Sequence, residues 1–343
     1  MLKLTPTNRV PARLRNVVIL AIISMLGFSA CQITPLALPF QPGSSDTPIA
    51  AAVPQPATTG TPTSTATYQP TKQVYQDIPY LQVAGVDPDL LSLDIYTPAS
   101  YGAHPVIVMI HGGSWRSGNK GSGSLTAPKP QFFTNNGFVF VSINYRLSPV
   151  VIYPEQVKDV AAALAWVYQH IRAYGGDPGQ LYVMGHSAGA QLAALVATDD
   201  RYLAIYNMKP SDLSGVILLD AAGLDIPGTM SPSLSFTYTT AFGNDPETWQ
   251  EASPINYVAP DKGIPPFLVC YTFQVVPFTQ SSQEFASLLA YAGVKVWSYA
   301  AANKTHNSIN DDVGTLYDPV TSRIMLFLEE TLPSTRLGAV IWQ

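Results

Sequence analysis

Cysteine is almost absent from this chain of 343 residues, and charge is sparse. There are two cysteines, Cys31 and Cys270, and no spacing of Cys, His, Asp and Glu resembles a zinc or iron–sulfur site, so no metal and no organic cofactor is expected. Cys31 closes an N-terminal targeting pattern, which leaves Cys270 alone in the apolar run Phe267-Leu268-Val269-Cys270-Tyr271, where it reads as a buried structural thiol. Charged residues make up 12% of the chain, Lys and Arg number 18, and the net charge is −5. That balance argues against nucleic acid as a partner. Nor does any apolar run reach the ~20 residues that a membrane-spanning helix needs.

What is abundant is apolar material, at 47%, and proline, at 30 residues. Part of the proline is local. Lys3, Arg9, Arg13 and Arg15 precede the uncharged run from Val17 to Ala30, and small residues lead into Cys31. A basic segment, a short apolar core and small residues before a cut describe a secretory leader over residues 1–31. Gly27-Phe28-Ser29-Ala30-Cys31 resembles a bacterial lipobox, so Cys31 is the expected lipidation point and the product is expected to be exported and lipid-anchored to the cell envelope. Phe28 departs from the small aliphatic residue commoner there, which keeps plain cleavage or a retained anchor open. Residues 32–72 are rich in Pro, Thr, Ser, Ala and Gln and nearly uncharged. Such a segment cannot bury enough apolar surface to offset its conformational entropy, and it reads as a disordered tether.

From Val74 the pattern changes. Short apolar runs fall at 91–96, 105–110, 138–144, 181–184, 216–219, 267–271 and 294–299. Most show no polar alternation, as expected of strands buried on both faces of a parallel sheet. Between them a helix is predicted from Pro154, with Val157, Val160, Ala161, Leu164, Val167 and Ile171 on one stripe and Gly175-Gly176 as its stop. These elements predict one doubly wound, mostly parallel α/β domain over residues 73–335.

Two motifs in this frame carry chemistry. Gly185-His186-Ser187-Ala188-Gly189 matches G-x-S-x-G between a strand and an Ala-rich helix. In that context the glycines leave room for a strained turn that exposes a nucleophilic serine. The bland alternative is a Gly-rich turn without chemistry. His111-Gly112-Gly113 follows the strand ending at Ile110. Glycines there allow backbone amides to turn toward a developing oxyanion, so Gly112, Gly113 and Ala188 are the candidate donors. Of the five histidines, His306 lies on a loop after the last strands, where the base of such a site belongs. His111 and His186 sit inside the two motifs and are read as shaping them, His170 ends a helix, and His104 is placed in an exposed turn.

The stretch from Leu91 to Leu328 resembles the bifunctional feruloyl/acetylxylan esterase-like branch of the α/β hydrolases, akin to hormone-sensitive-lipase and kynurenine-formamidase relatives. The resemblance rests on Leu93-Asp94-Ile95-Tyr96, His111 to Lys120 (HGGSWRSGNK) and Asn144-Tyr145-Arg146-Leu147. It continues through Gly175-Gly176-Asp177-Pro178, Gly185 to Gly189, Ala252-Ser253-Pro254 and His306. It implies the α/β-hydrolase fold, Ser187 as nucleophile, His306 as base, and an ester or arylformamide as substrate, the ester being a small molecule or linked to a glycan.

One part of the family pattern is missing. Such enzymes carry an Asp on the loop after the strand that here is Phe267 to Thr272, yet Phe273 to Thr279 holds no carboxylate, and Phe278 falls at the expected position. Asp220, after strand Val216 to Leu219, is the best-placed replacement, followed by Asp225 and by Glu284 in the next helix. A plain cap or turn role for Asp220 is the preferred reading. A Ser–His dyad and a non-catalytic binding protein on the same scaffold are the other readings, and retention of Ser187, His306 and both glycines argues against the last. The aromatic loop itself suits either a hydrophobic acyl pocket or a plugged site.

Overall fold

The computed structural model describes residues 71–122 and 128–333. The chain divides into Met1–Ser64 and Thr65–Gln343, and all described residues belong to the second unit. The leader, Cys31 and the Pro/Thr/Ser-rich segment up to residue 70 lie outside the described residues.

Eight strands form one sheet: β1 (Val74–Pro79), β2 (Ser92–Tyr96), β3 (His104–Ile110), β4 (Val139–Ile143), β5 (Gly176–His186), β6 (Gly215–Leu219), β7 (Phe267–Tyr271) and β8 (Val296–Ala300). Their order is β1-β2-β4-β3-β5-β6-β7-β8, with β1 and β2 paired antiparallel and all pairs from β4 to β8 parallel. Among the described residues, the helices of seven residues or more are α1 (Lys129–Asn135), α2 (Glu155–His170), α3 (Ala188–Thr198), α4 (Ser235–Phe242), α5 (Val276–Tyr291) and α6 (Pro319–Thr331).

Strands β3, β4, β6 and β7 are buried along their whole length, which explains their unbroken apolar runs. Successive residues of β3 feed opposite layers: Val106, Val108 and Ile110 join the core that includes α2 and α3, while Ile107 and Met109 join the one under α6. Gly215 shows how tightly α6 seats, since a Cβ there would lie 2.7 Å from the Phe327 ring.

Some sequence expectations shift. Helix α2 ends at His170, and a 3-10 turn over Ile171–Tyr174 intervenes before Gly175, whose left-handed φ of 79° makes the stop. His104 opens β3, is buried, and bonds the Gly137 carbonyl through Nδ1 at 2.9 Å, so it is no exposed turn residue. Strand β1 carries no apolar run and lies mostly exposed at the sheet edge. The segment after β7 is helical from Val276, which puts Phe278 in the first turn of α5 instead of a loop.

Among the described residues no helix is long and apolar enough to cross a membrane, and no group of three or more His, Cys, Asp or Glu could hold a metal. Cys270 is buried in β7 as a free thiol, and burial pushes its pKa well up.

Candidate active site

Strands β5 and β6 are parallel neighbours with His186 opposite Leu219, so the next residues, Ser187 and Asp220, leave the sheet side by side at its C-terminal edge. The turn at Ser187 is strained, with φ 53° and ψ −117°. It is held by the Ser187 N–H donating to the Leu219 carbonyl at 3.0 Å and by the Ala222 N–H donating to the Ser187 carbonyl at 3.2 Å. The flanking glycines are obligatory. A Cβ on Gly185 would lie 2.3 Å from the Gly189 carbonyl oxygen, and one on Gly189 would lie 2.3 Å from that of Ile110.

His306 arrives from the loop after β8. Its Nε2 lies 3.0 Å from Ser187 Oγ and its Nδ1 lies 2.7 Å from Asp220 Oδ2. An ionised carboxylate only accepts, so Nδ1 carries the hydrogen and Nε2 presents its lone pair to the serine hydroxyl. Asp220 has no solvent exposure. Thr272, just past β7, donates its N–H to Oδ1 at 2.8 Å and its hydroxyl to Oδ2 at 3.0 Å. Burial raises the Asp220 pKa, and the hydrogen bonds from His306 and Thr272 more than offset it, so the carboxyl stays below its usual range.

Asp220 does sit in a bend, with φ 46°, but the cap reading is corrected: its carboxylate binds His306 and Thr272 and caps no helix. Asp225 instead caps the short helix Ile226–Thr229, accepting from Gly228 N–H at 3.1 Å, and Glu284 is exposed on α5. Neither meets His306. Phe278 is buried with its ring 5.7 Å from that of His306, while Phe273 is exposed against Tyr271.

The His111–Gly113 segment passes directly over Ser187. A Cβ on Gly112 would sit 2.9 Å from His186 Nδ1 and 3.2 Å from Ser187 Cβ. Gly113 has φ 112°, which only glycine adopts readily. Among the described residues, no hydrogen bond within the protein takes the amide of Gly112 or Gly113, and Ala188 is the first residue of α3, whose amide has no intrahelical acceptor. The loop is anchored downstream by Trp115, which the sequence reading left without a role. Its buried indole N–H donates to Gln191 Oε1 at 3.0 Å, and Gln191 Nε2 donates to the Ala252 carbonyl at 2.8 Å. That chain joins the His-Gly-Gly loop, α3 and the Ala252-Ser253-Pro254 motif. Beside the loop opens a cleft of about 300 Å³ with a polar lining that includes His111, Ser117, His186, Asn307, Asn310 and Asp311.

The parallel sheet, the strained serine between β5 and α3, and the order Ser187, Asp220, His306 define the α/β-hydrolase fold. Residues 93–289 match BD-FAE, and the chain belongs to that family. It is 32% identical over 226 residues to esterase LipQ of Mycobacterium tuberculosis, an alignment covering 60% of this chain and 50% of LipQ. It is 40% identical over 103 residues to a probable isoprenylcysteine alpha-carbonyl methylesterase of Arabidopsis thaliana, covering 30% of this chain and 21% of that protein. The chain thus spans half or less of the length of these relatives. Esterase B from Lactobacillus rhamnosis superposes with a TM-score of 0.62 at 20% identity, over 75% of this chain and 84% of that one. A truncated carbohydrate esterase from gut microbiota gives 0.63 at 20% identity, over 77% and 99%.

Proposed function

We propose that this protein is a serine carboxylic-ester hydrolase that works through an acyl-enzyme on Ser187. The observation that carries the reading is the continuous hydrogen-bonded line Ser187 Oγ, His306 Nε2, His306 Nδ1, Asp220 Oδ2, at 3.0 and 2.7 Å. Ser187 Oγ attacks the acyl carbon while its proton passes to His306 Nε2. Asp220 keeps the other imidazole nitrogen protonated and stabilises the imidazolium. The amides of Gly112, Gly113 and Ala188 hold the oxyanion of the tetrahedral intermediate. His306 then returns the proton to the leaving alkoxide, and water releases the acid by the same steps in reverse.

The substrate is proposed to be a small-molecule or glycan-linked ester, in keeping with relatives named as esterases and with the polar cleft beside the oxyanion loop. Export and lipidation at Cys31 complete the proposal, and metabolic labelling with a fatty-acid probe, lost in Cys31→Ala, tests that part. The activity is tested with para-nitrophenyl acetate and butyrate. Turnover that disappears in Ser187→Ala supports the reading, and turnover no higher in the folded wild type than in Ser187→Ala overturns it for simple esters.

A further inference from the structure

Both main-chain polar groups of His306 are gripped by side chains that come from different parts of the fold. Its carbonyl oxygen accepts the Nε2–H of His186 at 2.7 Å, and its N–H donates to Gln274 Oε1 at 2.6 Å. A carbonyl can only accept, so the His186 hydrogen sits on Nε2. His186 immediately precedes Ser187 and is buried, and Gln274 lies on the segment after β7 that carries no carboxylate. Burial, followed by the neighbouring His306, lowers the His186 pKa to about 3. The neutral ring adds no positive charge against the base 4.8 Å away between ring centroids.

The rest of the 301–308 loop is tied down elsewhere. Lys304 pairs with Asp312 and Asp318, and Thr305 and Ser308 exchange hydrogen bonds. Among the described residues, no other hydrogen bond reaches the N–H or C=O of His306. The imidazole must meet Ser187 and Asp220 at once, and it has only two side-chain torsions with which to do so. Its reach to both is set by where the backbone stands, and a displacement of about 1 Å suffices to break such an alignment.

We propose that His186 and Gln274 are positioning residues that fix the backbone of His306 from its two sides and so hold the imidazole on the line between Ser187 and Asp220. This rests on the reading of those three residues as the reacting set. The segment after β7 then serves the site without a carboxylate: Thr272 holds Asp220, Gln274 holds the main chain of the base, and Phe278 backs its ring.

The test is kcat and KM for para-nitrophenyl acetate in the full-length protein carrying His186→Leu, His186→Gln or Gln274→Leu, with thermal unfolding measured on each. His186→Leu is expected to lower kcat about 30-fold with KM within about twofold, the signature of a lost transition-state alignment. His186→Gln, whose terminal amide donates at the reach of Nε2, is expected to recover kcat to within about fivefold of wild type. Gln274→Leu is expected to cost about fivefold, because water can replace an exposed acceptor. A folded His186→Leu with wild-type kcat overturns the proposal, as does His186→Gln performing no better than His186→Leu. Where His186→Leu fails to fold, Gln274→Leu decides, and an unchanged kcat there overturns it. Absence of turnover in the wild type above Ser187→Ala is a different result: it removes the ester-hydrolase reading, and the positioning role falls with it.

Discussion

Asp220 Oδ2 stands 2.7 Å from His306 Nδ1, although the two residues are 86 apart in the chain and Asp220 follows β6 and not β7, the strand after which the family resemblance implies an acid. Because β6 lies between β5 and β7, a carboxylate at its end is next to the Ser187 turn and next to Thr272 at once.

Asp220→Asn is the most informative variant at this carboxylate. An amide there can present the wrong partner to Nδ1 and disturb the histidine tautomer, so kcat is expected to fall by on the order of 10⁴. Thr272→Val removes one of the donors to the carboxylate and is expected to lower kcat about tenfold, the equivalent of about 1.4 kcal/mol. Steady-state kinetics on the three proteins checks both. Loss of less than tenfold in a folded Asp220→Asn would reassign Asp220 to a structural role and point to a dyad.

The Ser187 turn has no room for a side chain at Gly189, where a Cβ would come within 2.3 and 2.4 Å of the carbonyl oxygens of Ile110 and His111. Both contacts are backbone, so neither can rotate away. Gly189→Ala is expected to destabilise the domain by about 3 kcal/mol. Urea unfolding measures it, and a wild-type midpoint would show that β3 and α3 can separate more easily than their packing indicates.

Gln191 satisfies two buried groups, the Trp115 indole N–H and the Ala252 carbonyl. Gln191→Leu strands both and is expected to cost about 2–4 kcal/mol. Since Trp115→Phe removes one of the stranded groups, the double variant should lose less than the sum of the singles. Strict additivity in chemical denaturation would show that the two side chains do not depend on one another.

Acid should unfold this protein through its buried histidines. Burial lowers the His111 pKa to about 4 and that of His186 to about 3, against an ordinary 6.5. Between pH 6.5 and about 4 the unfolded chain binds protons at these positions that the folded one does not, so stability falls as pH falls, by up to about 1.4 kcal/mol per pH unit for each residue. Removing one of them in His111→Phe should make the stability slope between pH 6 and 4.5 shallower by about that amount. An unchanged slope would mean that His111 titrates normally in the folded state.

Much of this was legible in the sequence for identifiable reasons. Strands buried on both faces leave unbroken apolar runs, and glycines at 185 and 189 mark backbone contacts that tolerate nothing larger. Strand β1 left no such mark, because an exposed antiparallel edge strand needs no apolar run. His104 was misplaced because a histidine at a strand start can bury its ring on a neighbouring carbonyl, which no periodicity reveals. Asp220 was underrated because an aspartate after a strand is commonly a cap, and only the strand order β5-β6-β7 brings it between Ser187 and Thr272. Trp115 looked like part of a motif, and its partner Gln191 lies 76 residues away.

Covalent labelling with a fluorophosphonate probe reads whether Ser187 is a nucleophile activated by His306. Intact mass and peptide mapping should find one adduct, on Ser187, formed at least about 10³-fold more slowly in His306→Asn and absent in Ser187→Ala. Folded wild-type protein that stays unlabelled, or an adduct on another residue, would contradict the claim.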